Sequence, residues 1–398
     1  MRKFFAIAAF AFAFLIQSVV LAAAVNNINW NNAPKIGSRA ELAAYLKNCI
    51  RNLQTEVPVI LAGELRDEED KFFTSAYLNS DLLAYRIQCT VFKEGAKKSR
   101  ALYQLEYYPG TKVIHAYRTN NPSLLTADEK RLYNLAVQIV NEAMRQPTIL
   151  RRELFIHDAI TSRATYYSDA KRMTTDKAMP RFVTAIGALL DGRANCQGYS
   201  DAFYMLGNMC GFNVGKINGS THGDTSGAQT ENHMWNTIKF DNGKTYFVDV
   251  TWDDDSFKFS KKLGYNSYIY FNAPASITAA THSWDGNLYW DLQTEPDGYY
   301  YFSTPEFNST GGEYFGFYAP NSNAAIGEVA KRIAVQGKKL SWVMIPNDGN
   351  FNGDSVLKKL AREILPQRYN YRRGTYSIAY VRRGNYMFMF FDVRSMKN

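Results

Sequence analysis

Three polar residues in the middle of this 398-residue chain, Cys196, His233 and Asp249, have the types and settings that thiol chemistry needs. Downstream of Cys196, residues Tyr199, Ala202, Phe203, Leu206 and Met209 recur at helical spacing, and Gly211 stands where a left-handed cap would end the helix. Cys196 is therefore predicted at a helix N-terminus. The unpaired amides and the positive end of the helix dipole there favour a thiolate, the nucleophilic form, and the same amides can hold a developing oxyanion. A lone cysteine without such a context is more often a small buried hydrophobe, and Cys210 at the far end of the same helix fits that description. The helix between them is about 21 Å long, too far for a disulfide.

A thiol nucleophile needs a base, and the chain offers His115, His157, His222, His233 and His282. His115 follows a strand turn, His157 lies within a helical pattern, and His282 falls beyond the main run of polar residues; each reads as a surface or core histidine. His222 sits in the Gly-, Ser- and Thr-rich stretch from Lys216 to Glu231, which reads as a mobile loop and would hold an imidazole poorly. His233 instead opens a strand running to Phe240. The chain then turns at Asp241-Asn242-Gly243 and returns as Thr245 to Val250, placing Asp249 between apolar neighbours on a strand. An unpaired carboxylate there is costly, and orienting a histidine would pair it; capping a backbone or pairing with a cation would serve as well.

Parity discriminates between turn types. A two-residue turn at Asn242-Gly243 would send Asp249 to the face opposite His233. A three-residue loop with left-handed Gly243 in a bulge pairs Phe240 with Lys244, sets His233 against Thr251, and turns Asp249 toward Trp235 and the His233 side. The second arrangement is expected, with an Asp249 oxygen in hydrogen-bond reach of His233.

The elements that position these residues lie in the middle of an α+β chain. Ser38 to Leu53 reads as a helix, Val57 to Leu61, Leu82 to Phe92 and Ala101 to Tyr108 as strands. Near the other end, Ala324 to Val335 and Ser355 to Ile364 read as helices, and Leu340 to Ile345, Tyr376 to Arg382 and Tyr386 to Asp392 as strands. The similar order raises a duplicated flanking module. Between these modules, Thr126 and Glu129 form a capping box ahead of a helix that Pro147 ends, a second helix reaches about Tyr166, and a short one covers Phe182 to Leu190. The expected division is 1–24 as a leader, 25–125 as a first α+β module, 126–290 as the core and 291–398 as a second module.

Three blocks together resemble the transglutaminase-like superfamily: Asn195-Cys196-Gln197-Gly198-Tyr199, Asn232-His233-Met234-Trp235-Asn236, and Tyr246-Phe247-Val248-Asp249-Val250-Thr251-Trp252-Asp253-Asp254. His157-Asp158 before Tyr166-Tyr167, and Tyr268 to Phe271 with His282, are weaker points of similarity. The resemblance implies a papain-like core, a cysteine helix packed on an antiparallel sheet, with Cys196, His233 and Asp249 as catalytic triad and a thioester on Cys196. Asn195, Gln197, Tyr199, Trp235 and Trp252 are candidates for the substrate or oxyanion site. Protein or peptide amides, including those of a cell envelope, are the implied substrates, with no cofactor. An extracellular cysteine peptidase and a non-catalytic surface-binding module with a vestigial triad are the alternatives.

Composition narrows the field. Hydrophobic residues at 46% and charged residues at 21% are globular values. The net charge of +9 comes without Lys/Arg blocks or a nucleic-acid motif, so no nucleic-acid partner is expected. Arg2 and Lys3, an apolar run from Phe4 to Ile16 and small residues through Ala24 have the layout of a cleaved secretory leader, giving an extracytoplasmic protein without a transmembrane anchor. No C-x-x-C pair points to zinc; Cys49 and Cys89 are the pair left for a disulfide. Asp348 to Gly353 begins like an EF-hand loop but has Lys359 where a carboxylate is needed, so no metal site is expected there, and Asp253-Asp254-Asp255 reads as a solvated acidic turn.

Overall fold

The computed structural model describes residues 28–62, 65, 84–93, 98–169, 179–222, 230–255, 268–286, 289, 292–300, 317–318, 324, 340–346, 377–383 and 386–392. The expected leader, the Ser355–Ile364 helix, all but Ala324 of the Ala324–Val335 helix, and the 348–353 segment lie outside the described residues. The architecture is α+β. The described residues fall into two compact units: one takes those up to Thr221 with Thr230–Thr237 and Trp284–Leu292, the other takes His222, Ile238–Ser283 and those from Gln293 onward.

The first unit opens with β1 (Lys35–Ile36), α1 (Arg39–Arg51), β2 (Glu56–Ala62), β3 (Ala84–Lys93) and β4 (Lys98–Tyr107). Ser38 starts α1 through a full capping box with Glu41, satisfying two otherwise orphaned amides. The strands form a sheet of order β1-β2-β4-β3, with β1 parallel to β2 and the other neighbours antiparallel. Leu42, Leu46 and Ile50 of α1 pack on Val57, Val59, Leu61 and Tyr103, which gives the sheet one dry face. Cys49 is buried in that core and Cys89 is half-buried on β3; the two, the pair left for a disulfide by the sequence, are not bridged to each other. Each has a tyrosine beside it instead, Tyr45 for Cys49 and Tyr103 for Cys89.

Next come α2 (Pro109–Arg118), α3 (Ala127–Met144) and α4 (Ile149–Thr161), with Thr126 and Glu129 closing the expected capping box. A parallel pair, β5 (Thr165–Tyr166) and β6 (Arg193–Ala194), then leads into α5 (Cys196–Met209). The short helix expected near Phe182 is a 3-10 turn at Arg181–Val183 followed by a π-helical turn at Gly187–Asp191. β7 (Asn213–Thr221) and β8 (Glu231–Lys239) are neighbouring strands. The expected mobile loop is thus a strand through Thr221, and residues 223–229 of it lie outside the described residues.

Twelve of the fourteen residues of α5 are buried, so it is a central helix rather than an amphipathic one on the surface. Its polar residues must then find partners inside. Asp201 accepts from the amides of Gly110 (3.2 Å) and Ala185 (2.9 Å) and from Lys216 Nζ on β7 (2.7 Å). The Lys216 ammonium also lies 3.8 Å from the Tyr108 ring centre and 4.8 Å from that of Tyr204. Burial pushes Lys216 below the usual lysine range, against the pull of Asp201.

In the second unit, the end of β8 turns into β9 (Thr245–Val248) through the three-residue loop. Phe240 N–H donates to Lys244 O (3.2 Å), Gly243 N–H donates to Phe240 O (3.1 Å), and Gly243 has φ +77°. The strand then stops earlier than expected. Asp249 leaves it and heads α6 (Val250–Asp255), so Thr251 is helical and does not oppose His233. After α7 (Ala275–Thr278) come β10 (His282–Trp284), β11 (Phe317–Tyr318), β12 (Leu340–Pro346), β13 (Ser377–Arg383) and β14 (Tyr386–Asp392). β11 to β14 form a sheet of order β11-β12-β14-β13, with β11 parallel to β12 and the rest antiparallel: the order and sense of the N-terminal sheet repeated.

Two outcomes are expected. Asp201→Asn leaves the Lys216 cation buried without a counter-charge and costs about 3–5 kcal/mol in urea unfolding, most of which returns when Lys216→Met is added. A loss no larger than that of a surface substitution would remove the pair as an anchor of α5. Gly243→Ala forces a Cβ into the left-handed region and costs about 1–2 kcal/mol in the same assay.

Candidate active site

Cys196 is the first residue of α5. β6 brings the chain in, Asn195 N–H donates to Phe182 O (2.9 Å), and the Asn195 side-chain Oδ1 accepts from Gly198 N–H (3.3 Å) as the helix cap. Asn195 is therefore engaged through its oxygen in starting the helix. Gly198 is required by contact: a Cβ there would lie 2.7 Å from Phe182 O and 2.8 Å from the Ala194 Cβ. Gln197 is half-buried on the first turn, while Tyr199 is wholly buried and belongs to the core.

β8 is fastened to this helix by polar contacts. Ser200 Oγ donates to Trp235 O (3.2 Å), and Asn236 Nδ2 donates to Ser200 O (3.1 Å) and to Gly215 O of β7 (3.0 Å). Met234 packs against Cys196. His233 is buried, and its ring stacks on Trp235 with centres 5.9 Å apart and planes 20° apart; Trp284 meets Trp235 edge-on at 6.3 Å. The first unit thus holds Cys196, His233 and Trp235 on two elements tied by side-chain hydrogen bonds.

The second unit holds Asp249 and Trp252. Asp249 is 1% exposed, and its two oxygens have separate partners: Oδ1 accepts from Trp252 N–H (3.0 Å), and Oδ2 lies 3.0 Å from His282 Nε2. The backbone holds it as well, with Asp249 N–H donating to Tyr270 O (3.1 Å) and Asp249 O accepting from Asp253 N–H (3.0 Å). Trp252 packs edge-on against Tyr270 (5.4 Å) and tilted over His282 (4.7 Å). Asp253 is not part of a solvated acidic turn: it is fully buried, and its Oδ1 accepts from Tyr270 N–H (2.8 Å).

Sequence reasoning passed over two of these residues. Asn236 stood in the quoted block, but its clamp on α5 and β7 needs three dimensions to be seen. His282 was read as a surface or core histidine beyond the motif and counted only as a weaker point of similarity, yet it is wholly buried and bonded to Asp249. The signal available for it was Thr281-His282-Ser283-Trp284, a histidine flanked by a hydroxyl residue and closely followed by a tryptophan.

Residues 135–250 match the family model of the transglutaminase-like superfamily, a span that contains Cys196, His233 and Asp249 and stops short of His282. No curated protein matches the chain. Among solved structures it is similar to one described as a TGase, at 11% identity and a TM-score of 0.26, covering 55% of this chain and 59% of that one. It is also similar to LapG of Legionella pneumophila, at 12% identity and a TM-score of 0.23, covering 36% of this chain and 72% of that one. The chain therefore spans less than two thirds of the length of the first of these. Among the described residues no helix is long and apolar enough to cross a membrane.

Cys210 supplies the contrast to Cys196. Burial pushes its thiol up to about 11, against a small opposing effect of Arg152. The unfolded chain ionises this thiol near 9, so between pH 9 and 11 the native state holds a proton that the unfolded state has lost. Stability from this group is full below pH 9 and is lost as pH rises through 11, a change on the order of 2 kcal/mol. Cys210→Ala is expected to flatten that part of the stability curve in denaturant titrations at pH 8 to 11; an unchanged curve would refute the assignment.

Proposed function

Taking as premise that residues 135–250 are a transglutaminase-like superfamily domain, we propose that the chain is a thiol enzyme acting on protein or peptide amides, by acyl transfer or hydrolysis. Cys196 is its nucleophile, His233 its base and Asp249 the residue that orients the base. One observation carries the reading most directly: the helix that begins at Cys196 and the strand that bears His233 are joined through Ser200 and Asn236, with no loop between the anchoring contacts and the reactive side chains.

In this reading the Cys196 thiol passes its proton to His233, the sulfur attacks the amide carbonyl carbon, and the carbonyl electrons move to oxygen, which the Cys196 amide at the helix start receives. The tetrahedral species collapses, the C–N bond breaks, and the imidazolium of His233 gives its proton to the departing ammonia or amine. A thioester remains on Cys196. His233 then takes a proton from water or from an acceptor amine, whose attack frees Cys196 and yields an acid or a new amide. Asp249 keeps the imidazole in the tautomer that makes both transfers workable. The leader read at residues 1–24 puts this reaction outside the cytoplasm, with 126–290 as the catalytic core between the modules at 25–125 and 291–398.

The test uses the full chain with dimethylcasein and a fluorescent primary amine, reading both amine incorporation and ammonia release. Either signal is expected in the wild type and neither in Cys196→Ala or His233→Ala. Cys196→Ala should cost no more than about 1 kcal/mol, because little volume is lost. Iodoacetamide at neutral pH should label Cys196 ahead of Cys210. New N-termini on the casein would mean peptidase action, and dominant labelling of Cys210 in the native protein would overturn the assignment.

A further inference from the structure

The carboxylate of Asp249 is the end of a buried chain of polar groups that the proposed triad leaves unexplained. His282 Nε2 lies 3.0 Å from Asp249 Oδ2, Thr281 Oγ1 lies 2.9 Å from His282 Nδ1, and Tyr270 Oη lies 2.8 Å from Thr281 Oγ1. All four residues are at most 2% exposed. From this geometry we infer that His282 is a positioning residue for Asp249, held neutral with its proton on Nε2 by Thr281 and Tyr270.

Hydrogen accounting supports that direction. The Asp249 carboxylate can only accept, so the Nε2 contact requires a proton on Nε2. In neutral imidazole Nδ1 is then an acceptor, and Thr281 Oγ1–H is the donor facing it. The Thr281 oxygen in turn accepts from the Tyr270 hydroxyl. Every donor in the row points toward Asp249, and every contact is made without burying a second charge. With Trp252 N–H on Oδ1 and His282 on Oδ2, the carboxylate plane is fixed about both its torsions. Tyr270 is itself pinned on both sides of its peptide unit, its N–H donating to Asp253 Oδ1 and its oxygen accepting from Asp249 N–H. The left-handed φ angles of Tyr268 (+52°) and Asn272 (+53°) bracket it, a strain that persists only where surrounding contacts determine the backbone. Tilted contacts of the His282 ring with Trp252 (4.7 Å) and Tyr270 (5.1 Å) fix its orientation.

This inference rests on the reading of Asp249 as the residue that orients the base, and the experiment separates the two. The rate of Cys196 alkylation by iodoacetamide is measured against pH in the full chain, with Cys210→Ala as background so that one thiol of α5 reports. Asp249→Asn should lower the neutral-pH rate and move its half-rise to higher pH; a profile identical to the background would sink the triad reading itself. His282→Phe should reproduce that change, with about a tenfold fall in rate, and should add nothing further in combination with Asp249→Asn. His282→Gln, whose amide can donate to Asp249 and accept from Thr281, should restore most of the rate. Thr281→Val, which removes the group that selects the tautomer, should give a smaller fall in the same direction. A lowered melting temperature in His282→Phe with an unmoved profile would reduce His282 to a packing residue and overturn the inference. If His282→Phe does not fold, Thr281→Val decides: a shifted profile supports the relay and an unmoved one overturns it.

Discussion

The burial of α5 on nearly all sides is the constraint from which the rest of this structure follows. A helix so enclosed gains from apolar packing, but apolar packing alone is tolerant of rotation about the helix axis. Hydrogen bonds are not tolerant of it. Asp201 looks toward Gly110, Ala185 and Lys216, and Ser200 toward Trp235, so two adjacent residues fix the helix from two directions. Asn195 fixes its start. The direction in which the Cys196 side chain leaves the helix is set by these contacts, five residues away or fewer.

Polar groups carry the same duty around Asp249. There the carboxylate caps a helix of six residues, too short to be stable by itself, and its second oxygen is taken by His282. Of the roles weighed for Asp249 at the level of sequence, capping is present in one oxygen, while the other meets His282, a histidine other than the one it was read as orienting. A residue serving two demands in this way has little freedom to move, which is the property an orienting carboxylate needs.

What could be read from the sequence was what is decided locally. The capping boxes at Ser38 and Thr126, the helix starting at Cys196 and the loop at Gly243 each depend on residues within a few positions of one another, and each appears where expected. The errors have a common cause in distance along the chain. Val248 and Val250 continue an apolar pattern through Asp249, so the strand was extended; the helix that replaces its end is stabilised by Tyr270 and His282, 21 and 33 residues beyond Asp249. The Gly-, Ser- and Thr-rich run from Lys216 looked like a loop because composition says nothing of the neighbouring strand β8 or of the carboxylate waiting for Lys216. Cys49 and Cys89 were the pair left for a disulfide by arithmetic, whereas the helix and the strand that carry them leave the two unbridged.

The repeated strand order of the two terminal sheets has a bearing on how the molecule is made. Each sheet contains one pair of consecutive antiparallel strands, β3 with β4 and β13 with β14, and a strand from further upstream that joins β4 or β14. Contacts so close in sequence form early, because little loop entropy is lost in making them. All four strands of the first sheet lie within residues 35–107, so a chain emerging from the ribosome N-terminus first has them in hand before Cys196 has been polymerised. Asp249 has no such advantage. Trp252 N–H, the partner of Oδ1, follows within three residues, but His282, the partner of Oδ2, arrives only 33 residues later.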